Sequence, residues 1–392
     1  MPPFRETPAR VFLRFLRFGV LAWGGPVAQI AMIRRELVDE ERWIGSSRFN
    51  RVLAVYQALP GPEAHELCVY FGHLAAGRFG GVLAGLGFML PGFALMLVLA
   101  WAYVRFGIDV AALAGVFAGL QAGVLALIVR GAITIGRHAL TDPLLWAIGV
   151  GGFVATLAGT HFAVVLITAG LVAFLVRRGR SGEAAALAAA VTILLAAVPA
   201  LRQGEPFLAA AGGDATTTPA GLDAILLAGL AAGLLTFGGA YTSIPILQQQ
   251  AVGTWMTPGQ FLDGLALGGI LPAPLIIFST FVGYVGAGLA GALVMTGAVF
   301  LPAFAFTLVG YRHLERLVAD ERLHAFFDGI TAGVVGLIAA TTVRLVPAAI
   351  TDLVGAMIAG AALAGLLAWR GRASIPVVMA GAALAGLLAD LA

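Results

Sequence analysis

Long apolar runs alternate with short polar punctuation along this chain. Val82 to Tyr103, Phe117 to Val129, Pro143 to Val176 and Ala184 to Leu201 carry few or no charges. They meet the roughly 20-residue requirement for spanning helices, singly or as hairpin pairs. The ten-residue alternating segments of a β-barrel are absent. Within this apolar background two stretches interrupt the helical pattern, Trp23-Gly24-Gly25-Pro26 and Leu59-Pro60-Gly61-Pro62. Two prolines around a glycine cannot continue a helix, because each lacks a donor and clashes with the preceding turn. Glu63, His65 and Glu66 follow directly, and ionisable groups are expensive at membrane depth. A broken helix exposes the positive end of the restarting half-helix and its unpaired N–H groups, a way of building an ion site.

The pattern occurs twice. Trp23-Gly24-Gly25-Pro26 matches Phe237-Gly238-Gly239-Ala240, and Leu59-Pro60-Gly61-Pro62 matches Leu271-Pro272-Ala273-Pro274. Phe71-Gly72 through Pro91-Gly92-Phe93 aligns without gaps to Val282-Gly283 through Pro302-Ala303-Phe304, and Gly119 with Ala122-Gly123-Val124 matches Gly329 with Ala332-Gly333-Val334. The spacing drifts only from 214 to 210 residues. Repeated blocks in constant order mark a duplication. The expected organisation is a first repeat over 8–180, a connecting helix and polar loop over 181–221, and a second repeat over 222–392.

Charge sets the expected orientation. Arg34, Arg35, Arg42, Arg48 and Arg51 crowd the loop after the first break, whereas its counterpart, Gln248 to Trp255, has no charge. The next pair reverses, with Arg105 and Asp109 facing Arg312, Arg316 and Arg322, and farther on Gly159-Thr160-His161 faces Arg370-Gly371-Arg372. Opposite arginine bias in equivalent loops predicts halves inverted across the membrane, with the first loop cytoplasmic. Arg177-Arg178-Gly179-Arg180 then reads as cytoplasmic, Ala184 to Leu201 as one unpaired span, and Gly204 to Pro219 as an outer loop. Arginines close to both ends of the two first-half breaks predict re-entrant hairpins. Two hairpins and four spans per half plus the connector give nine spans and four hairpins, and counting the hairpin arms as full spans changes the total. The expected fold is an all-α polytopic membrane protein of two inverted-topology repeats with broken, re-entrant helices. It lies in the inner (plasma) membrane, with its N-terminus in the cytoplasm.

Composition agrees. Of 392 residues, 60% are hydrophobic and 11% charged, with mean hydropathy +0.98, where a soluble protein carries roughly 25% charged residues. The pI near 9.4 comes from loop arginines and implies no nucleic-acid partner. A single cysteine, Cys68, rules out an intrachain disulfide or a cysteine-rich metal site. Arginines spread through the first residues argue against a removed signal peptide.

Gly-Gly and Pro kinks permit close helix packing, but their recurrence favours function, since non-helical backbone at membrane depth is tolerated only around a cavity or inside protein. Four half-helix N-termini converging on the repeat interface would suit an anion. The candidate binding residues are Gly24, Gly25, Gly61, Gly238 and Gly239, where backbone can approach the ion, with Pro26, Pro60, Pro62, Pro272 and Pro274, which fix the breaks. Gln57, Tyr56, Ser279 and Thr280 flank the breaks as hydrogen-bond donors. Glu63 and Glu66 share one face of the restarting helix, as N-terminal caps or as protonatable gating groups; the second half has Leu275-Ile276-Ile277-Phe278 there. Glu63, His65, Glu66 and Arg130 are the coupling or gating candidates, with Arg130 a counter-charge to an acid or to the substrate. Arg137 reads as snorkelling to the surface, Asp328 as a helix-start acid, and His161 and Arg344 as loop or interface residues. There is no phosphate-cradling lysine loop, HExxH or nucleophile elbow, so no enzyme and no cofactor is expected.

With Phe18-Gly19, Trp23-Gly24-Gly25-Pro26, the loop ending in Arg42-Trp43, Tyr56-Gln57-Ala58-Leu59-Pro60-Gly61-Pro62 and Gly87-Phe88-Met89-Leu90-Pro91, the chain resembles the chromate ion transporter family in its two-domain form. The likeness covers nearly the whole chain; the second half keeps the FGG and LPAP signals but has Ala240 for Pro26 and lacks the acids. The resemblance implies oppositely oriented repeats and export of chromate from the cytoplasm, giving resistance, by a secondary transporter or antiporter driven by the membrane potential or proton gradient. Sulfate, also a tetrahedral dianion, is the expected competitor. The residues themselves carry the reading as far as a small anion, moved by a transporter or an anion channel. The expected partners are that oxyanion and the lipid bilayer, with a homodimer left open.

Overall fold

The computed structural model describes residues 6–58, 60–107, 111–197, 218–237, 239–310, 321–369, 371 and 373–391. Among them are fifteen α-helices and one isolated bridge, between Val252 and Met256. The chain is an all-α polytopic membrane protein. Helices α1 (Pro8–Val20), α2 (Gly25–Arg34), α3 (Ser46–Ala58), α4 (Glu63–Phe106), α5 (Ala111–Ala139), α6 (Pro143–Leu157) and α7 (Phe162–Arg177) form a first series. After α8 (Ser181–Ala197) come α9 (Leu222–Leu234), α10 (Ser243–Ala251), α11 (Pro258–Ile270), α12 (Phe278–Ala305), α13 (Glu321–Ala349), α14 (Leu353–Ala368) and α15 (Ser374–Asp390). Each series runs through three short helices, one long bent helix, one long helix and a final pair.

The bends have one cause. Helix α4 leaves helical geometry at Ala76 and Gly77, and Gly77 has φ +67°. The left-handed region admits glycine without a Cβ penalty. The chain doubles back there, so 63–75 and 78–106 are antiparallel arms rather than one rod. A methyl on Gly72 would collide with the Ala84 Cβ, and one on Gly80 would lie 2.5 Å from the Gly72 carbonyl oxygen. Helix α12 repeats the device at Ala287 and Gly288 (φ +59°), with Gly283 and Gly291 in contact. Where the first hairpin sets Val69 against Gly85, the second sets Thr280 against Thr296, their hydroxyls 2.8 Å apart.

The longer arms meet each other in the centre. Gly81 faces Leu308 and Gly85 faces Phe304, so numbers rise along one arm as they fall along the other. Helix α1 lies along the second arm of α4 through Gly19 and Gly87, and α9 along that of α12 through Gly229 and Gly233. The outer layer is exchanged between halves. Helix α5 packs on α14 and α15, while α13 packs on α6 and α7. Gly115, Gly119 and Gly123 of α5 successively face Asp390, Ala382 and Met379, an antiparallel seam of small residues.

The apolar runs fall where expected. Val82 to Tyr103 lies in the second arm of α4, Phe117 to Val129 in α5, and Pro143 to Val176 in the pair α6 and α7. The stretches Glu63–Phe106, Ala114–Ala139, Leu275–Val309 and His324–Ala349 are long and apolar enough to cross a membrane. Asp109, Arg312, Arg316, Arg370, Arg372, residues 198–217 of the connector and its polar loop, and Gly238 lie outside the described residues. At the first arginine-rich loop, Arg14 of α1 bonds to Glu6 (2.7 Å), Glu36 (3.3 Å) and Glu41 (2.5 Å) and lies over the Trp43 ring.

Candidate functional site

The chain breaks four times inside the bundle, and each break begins a helix. At the first, Gly24 (φ +90°) and Gly25 (φ +78°) turn the chain and Pro26 enters the first turn of α2, where its missing N–H costs nothing. At the second, Pro60, Gly61 (φ +153°) and Pro62 are buried, and Glu63 opens α4. At the third, Gly239 (φ +106°) leads into a 3₁₀ turn, Ala240–Thr242, and then α10. At the fourth, Leu271 to Pro274 lead into the 3₁₀ turn Leu275–Ile277 and then α12.

These breaks meet. The Gly61 N–H donates to the Thr236 carbonyl (2.8 Å), joining the second break to the third. A methyl on Gly239 would sit 4.0 Å from Glu63 Oε2, so the Glu63 carboxyl lies beside the third break as well. The first and fourth share one narrow, partly open cleft. Its walls are Trp23, Gly24, Gly25 and Pro26 on one side, and Gly268, Gly269, Leu271, Ala273 and Leu275 on the other. Tyr241, in the 3₁₀ turn after the third break, closes it with Leu127 of α5 and Ile375 and Pro376 of α15.

Arg130 stands one turn beyond Leu127. It is half-buried, and its Nη1 reaches the Ser374 hydroxyl at 3.5 Å, next to the cleft-lining Ile375. The following residue, Gly131, packs against the Tyr241 ring. Among the described residues no carboxylate pairs with Arg130, and Glu63 and Glu66 are not its partners. The cleft is therefore lined from the helix or 3₁₀ starts of α2, of the third and fourth breaks and of α15, and Arg130 stands beside it with no protein counter-charge among the described residues. Helix N-termini carry partial positive charge and unpaired donors, so the chemistry on offer is reception of a small anion.

The acids sit behind this wall. Glu66 is fully buried, and a methyl on Gly61 would lie 2.7 Å from its Oε1; neither carboxylate oxygen has a hydrogen-bond partner among the described residues. Glu63 is 8% exposed. His65 is buried between Phe300 and Phe304 of the second half, ring centroids 4.9 and 4.8 Å away. None of the three lines the cleft. Pro272 and Pro274 are buried and do not line the cleft, while Leu271, Ala273 and Leu275 form its wall. Gln57 is exposed, and Tyr56 packs its ring on Tyr70. Ser279 is buried, and Thr280 bonds to Thr296.

Two expectations of a structural role are met. Arg344 donates to the carbonyls of Thr156 (2.6 Å) and Leu157 (3.4 Å), closing the end of α6. His161 Nδ1 accepts from the Ala163 N–H (3.1 Å), and burial holds this loop imidazole below its usual pKa, keeping that nitrogen an acceptor. Asp328 and Arg137 are exposed.

Tyr241, Leu127, Ile375 and Pro376 belong to the cleft without having been singled out in the sequence. Asp263 was missed too. It is 2% exposed inside α11 and accepts from the Tyr103 hydroxyl (2.7 Å) and from Gln121 Nε2 (2.8 Å). A lone acid in an apolar helix was the signal that would have found it.

The comparisons with known proteins cover the same two halves. A family profile described as chromate transporter matches residues 9–175 and 224–387. A chromate transport protein of Pseudomonas aeruginosa is 53% identical over 97% of this chain and 91% of its own length. One from Cupriavidus metallidurans is 34% identical over 95% of this chain and 91% of its own length. A probable chromate transport protein of Synechococcus elongatus is 30% identical, covering 86% and 84%. No solved structure matches the chain. With both halves matched to the profile and relatives aligned over nearly its full length, the chain belongs to the chromate transporter family.

Proposed function

We propose that the chain is a secondary transporter that exports chromate across the inner membrane, and so gives chromate resistance, by alternating access between two halves of opposite orientation. The carrying observation is that breaks from both halves meet at one cleft with Arg130 at its rim. A tetrahedral dianion seated there takes backbone N–H groups from the starts of α2, α10 and α12 and charge from Arg130. Inversion is supported by the central arms: equivalent helices α4 and α12 run antiparallel where they touch, as an axis in the membrane plane requires. The arginine-rich loop after α2 supports a cytoplasmic N-terminus.

Glu63 is the coupling group in this reading. Ionised, it repels a dianion from the region of Gly239; protonated, it leaves the helix starts and Arg130 to act alone. Outward movement of a dianion down an inside-negative potential gains roughly 4–5 kcal/mol per 100 mV, from about 2.3 per unit charge. Backbone donors and one guanidinium grip any tetrahedral dianion alike, so sulfate competes. The test is transport into inverted vesicles of chromate, sulfate and molybdate, with and without imposed gradients. Saturable chromate uptake that responds to potential and is inhibited by sulfate is expected. A linear, unsaturated current through purified protein in bilayers would instead identify an anion channel.

A further inference from the structure

We propose that Asp263, Tyr103 and Gln121 form a gate on one side of the cleft, a hydrogen-bonded latch between the halves that parts once in each transport cycle. The proposal rests on the reading of the cleft as the oxyanion site and adds the residues that control access to it.

The latch joins elements from both halves. Asp263 is buried in α11; Tyr103 lies in the last turns of α4 and Gln121 in α5. Both carboxylate oxygens are occupied, Oδ2 by the Tyr103 hydroxyl and Oδ1 by Gln121 Nε2. Among the described residues no cation pairs with Asp263. An acid surrounded by neutral donors is a costly way to fill a helix seam, because apolar side chains of similar volume do so without desolvating a charge. What it provides is a contact that can part: when the seam opens, water replaces both donors, and little net hydrogen bonding is lost.

The register places this contact on the route into the cleft. Gln121 stands against Asp263, and six residues later in both helices Leu127 stands against Gly269, where a methyl would lie 3.4 Å from Leu127 Cδ2. Helices α5 and α11 therefore run parallel along one seam. Leu127 and Gly269 both line the cleft, so the latch lies about 9 Å along the seam from it at 1.5 Å per residue. Beyond the latch are the start of α11 at Pro258 and the end of α4 at Phe106. The latch thus lies between the cleft and the face that carries Thr254 and Gly107.

Packing shared by the two halves does not account for it. In the register that pairs Pro60 with Pro272, Asp263 corresponds to Arg51, which is exposed; in the register that pairs Gly119 with Gly329, Gln121 corresponds to Thr331, which bonds its own helix at Phe327. Among the described residues the device exists once, as a gate on one side requires. An acid at this position also opposes return of a dianion that has left, making the gate a valve.

The test uses sided thiol labelling. In a Cys68→Ala background, Gly269→Cys places a thiol in the cleft and Thr254→Cys identifies the face. Right-side-out and inverted vesicles are treated with a membrane-impermeant thiol reagent. Tyr103→Phe keeps the ring against Phe281 (4.9 Å) and Phe117 (5.9 Å) and removes only the hydroxyl. It is expected to speed labelling of Cys at 269 about tenfold from the Thr254 face, as loss of one hydrogen bond to a charged acceptor implies, with no change from the other face. Gln121→Leu should do the same, and Leu127→Cys serves as a second reporter. Unchanged rates in both variants, or equal acceleration from both faces, would overturn the gate. Protection of the reporter by chromate is read separately. Sided acceleration without protection rejects the cleft as the oxyanion site and keeps the gate, and protection without sided acceleration does the reverse.

Discussion

Arg130→Gln is the sharpest probe of the site. The guanidinium is half-buried and, among the described residues, has one hydrogen bond, to the Ser374 hydroxyl at 3.5 Å, near the outer limit for such a contact. Among the described residues no carboxylate neutralises it. At about 4 Å and an effective dielectric of about 20, each unit of anion charge interacts with it by roughly 4 kcal/mol. Much of this is offset by stripping water from both ions. The net loss on removing a charged hydrogen-bond partner is about 1.5–3 kcal/mol, roughly tenfold to 150-fold in affinity. Initial rates of chromate uptake into inverted vesicles across a concentration series should show the apparent KM rising by that factor. Arg130→Lys, which keeps the charge but loses the planar fork, should fall between. Ser374→Ala, which removes only the weak contact, should change the KM by less than about threefold. An Arg130→Gln protein whose KM stays within about twofold of the parent would remove the guanidinium from the binding step, and with it the charge argument for the cleft.

Other consequences are equally direct. Gly80→Val forces side-chain atoms against the Gly72 carbonyl and the Ala76 Cβ, 2.5 and 2.6 Å from an added Cβ. It should cost about 3 kcal/mol or more, seen as a lowered melting temperature in detergent; a parental melting temperature would contradict the back-folded arms of α4. Glu63→Gln should flatten the pH dependence of uptake, because the parent gains rate as falling pH discharges the carboxyl. Parent and variant meet the same chromate speciation, so an unchanged ratio at all pH values would dismiss the gating role. Arg344→Met strips the end of α6 of two hydrogen bonds and should lower stability by about 1–3 kcal/mol while leaving the chromate KM unchanged. Cysteines at Ser46 and Thr254 should label from opposite faces, and labelling from one face would dispose of inversion.

The sequence exposed those features that depend on local chemistry. Glycine and proline act through the backbone wherever they stand, so Gly24-Gly25-Pro26 and Pro60-Gly61-Pro62 announced breaks that the structure contains. The end of the short arm of α4 was marked by Arg78, next to the turn at Ala76 and Gly77. What stayed hidden required knowledge of which helices touch. Tyr241 reaches the cleft because the third break delivers it there, and Ile375 because α15 lies against α5. Asp263 draws its two partners from helices more than a hundred residues upstream. The pairing of Arg130 with Glu63 or Glu66 illustrates the same limit. Opposite charges in two different apolar stretches suggested partners, yet the acids lie behind the second break and the arginine stands beside the cleft.

The exchange of outer helices between halves bears on how the protein is made. The face of α5 lined by Gly115, Gly119 and Gly123 is covered by α15, more than two hundred residues later in the chain. Between completion of Ala139 and emergence of Ser374, synthesis at about 5–20 residues per second takes roughly 10 to 50 seconds. Throughout that interval a stripe shaped for another backbone faces lipid or a chaperoning insertase. The first half cannot bury this stripe ahead of the second, and a nascent chain stalled before Ser374 would leave it uncovered.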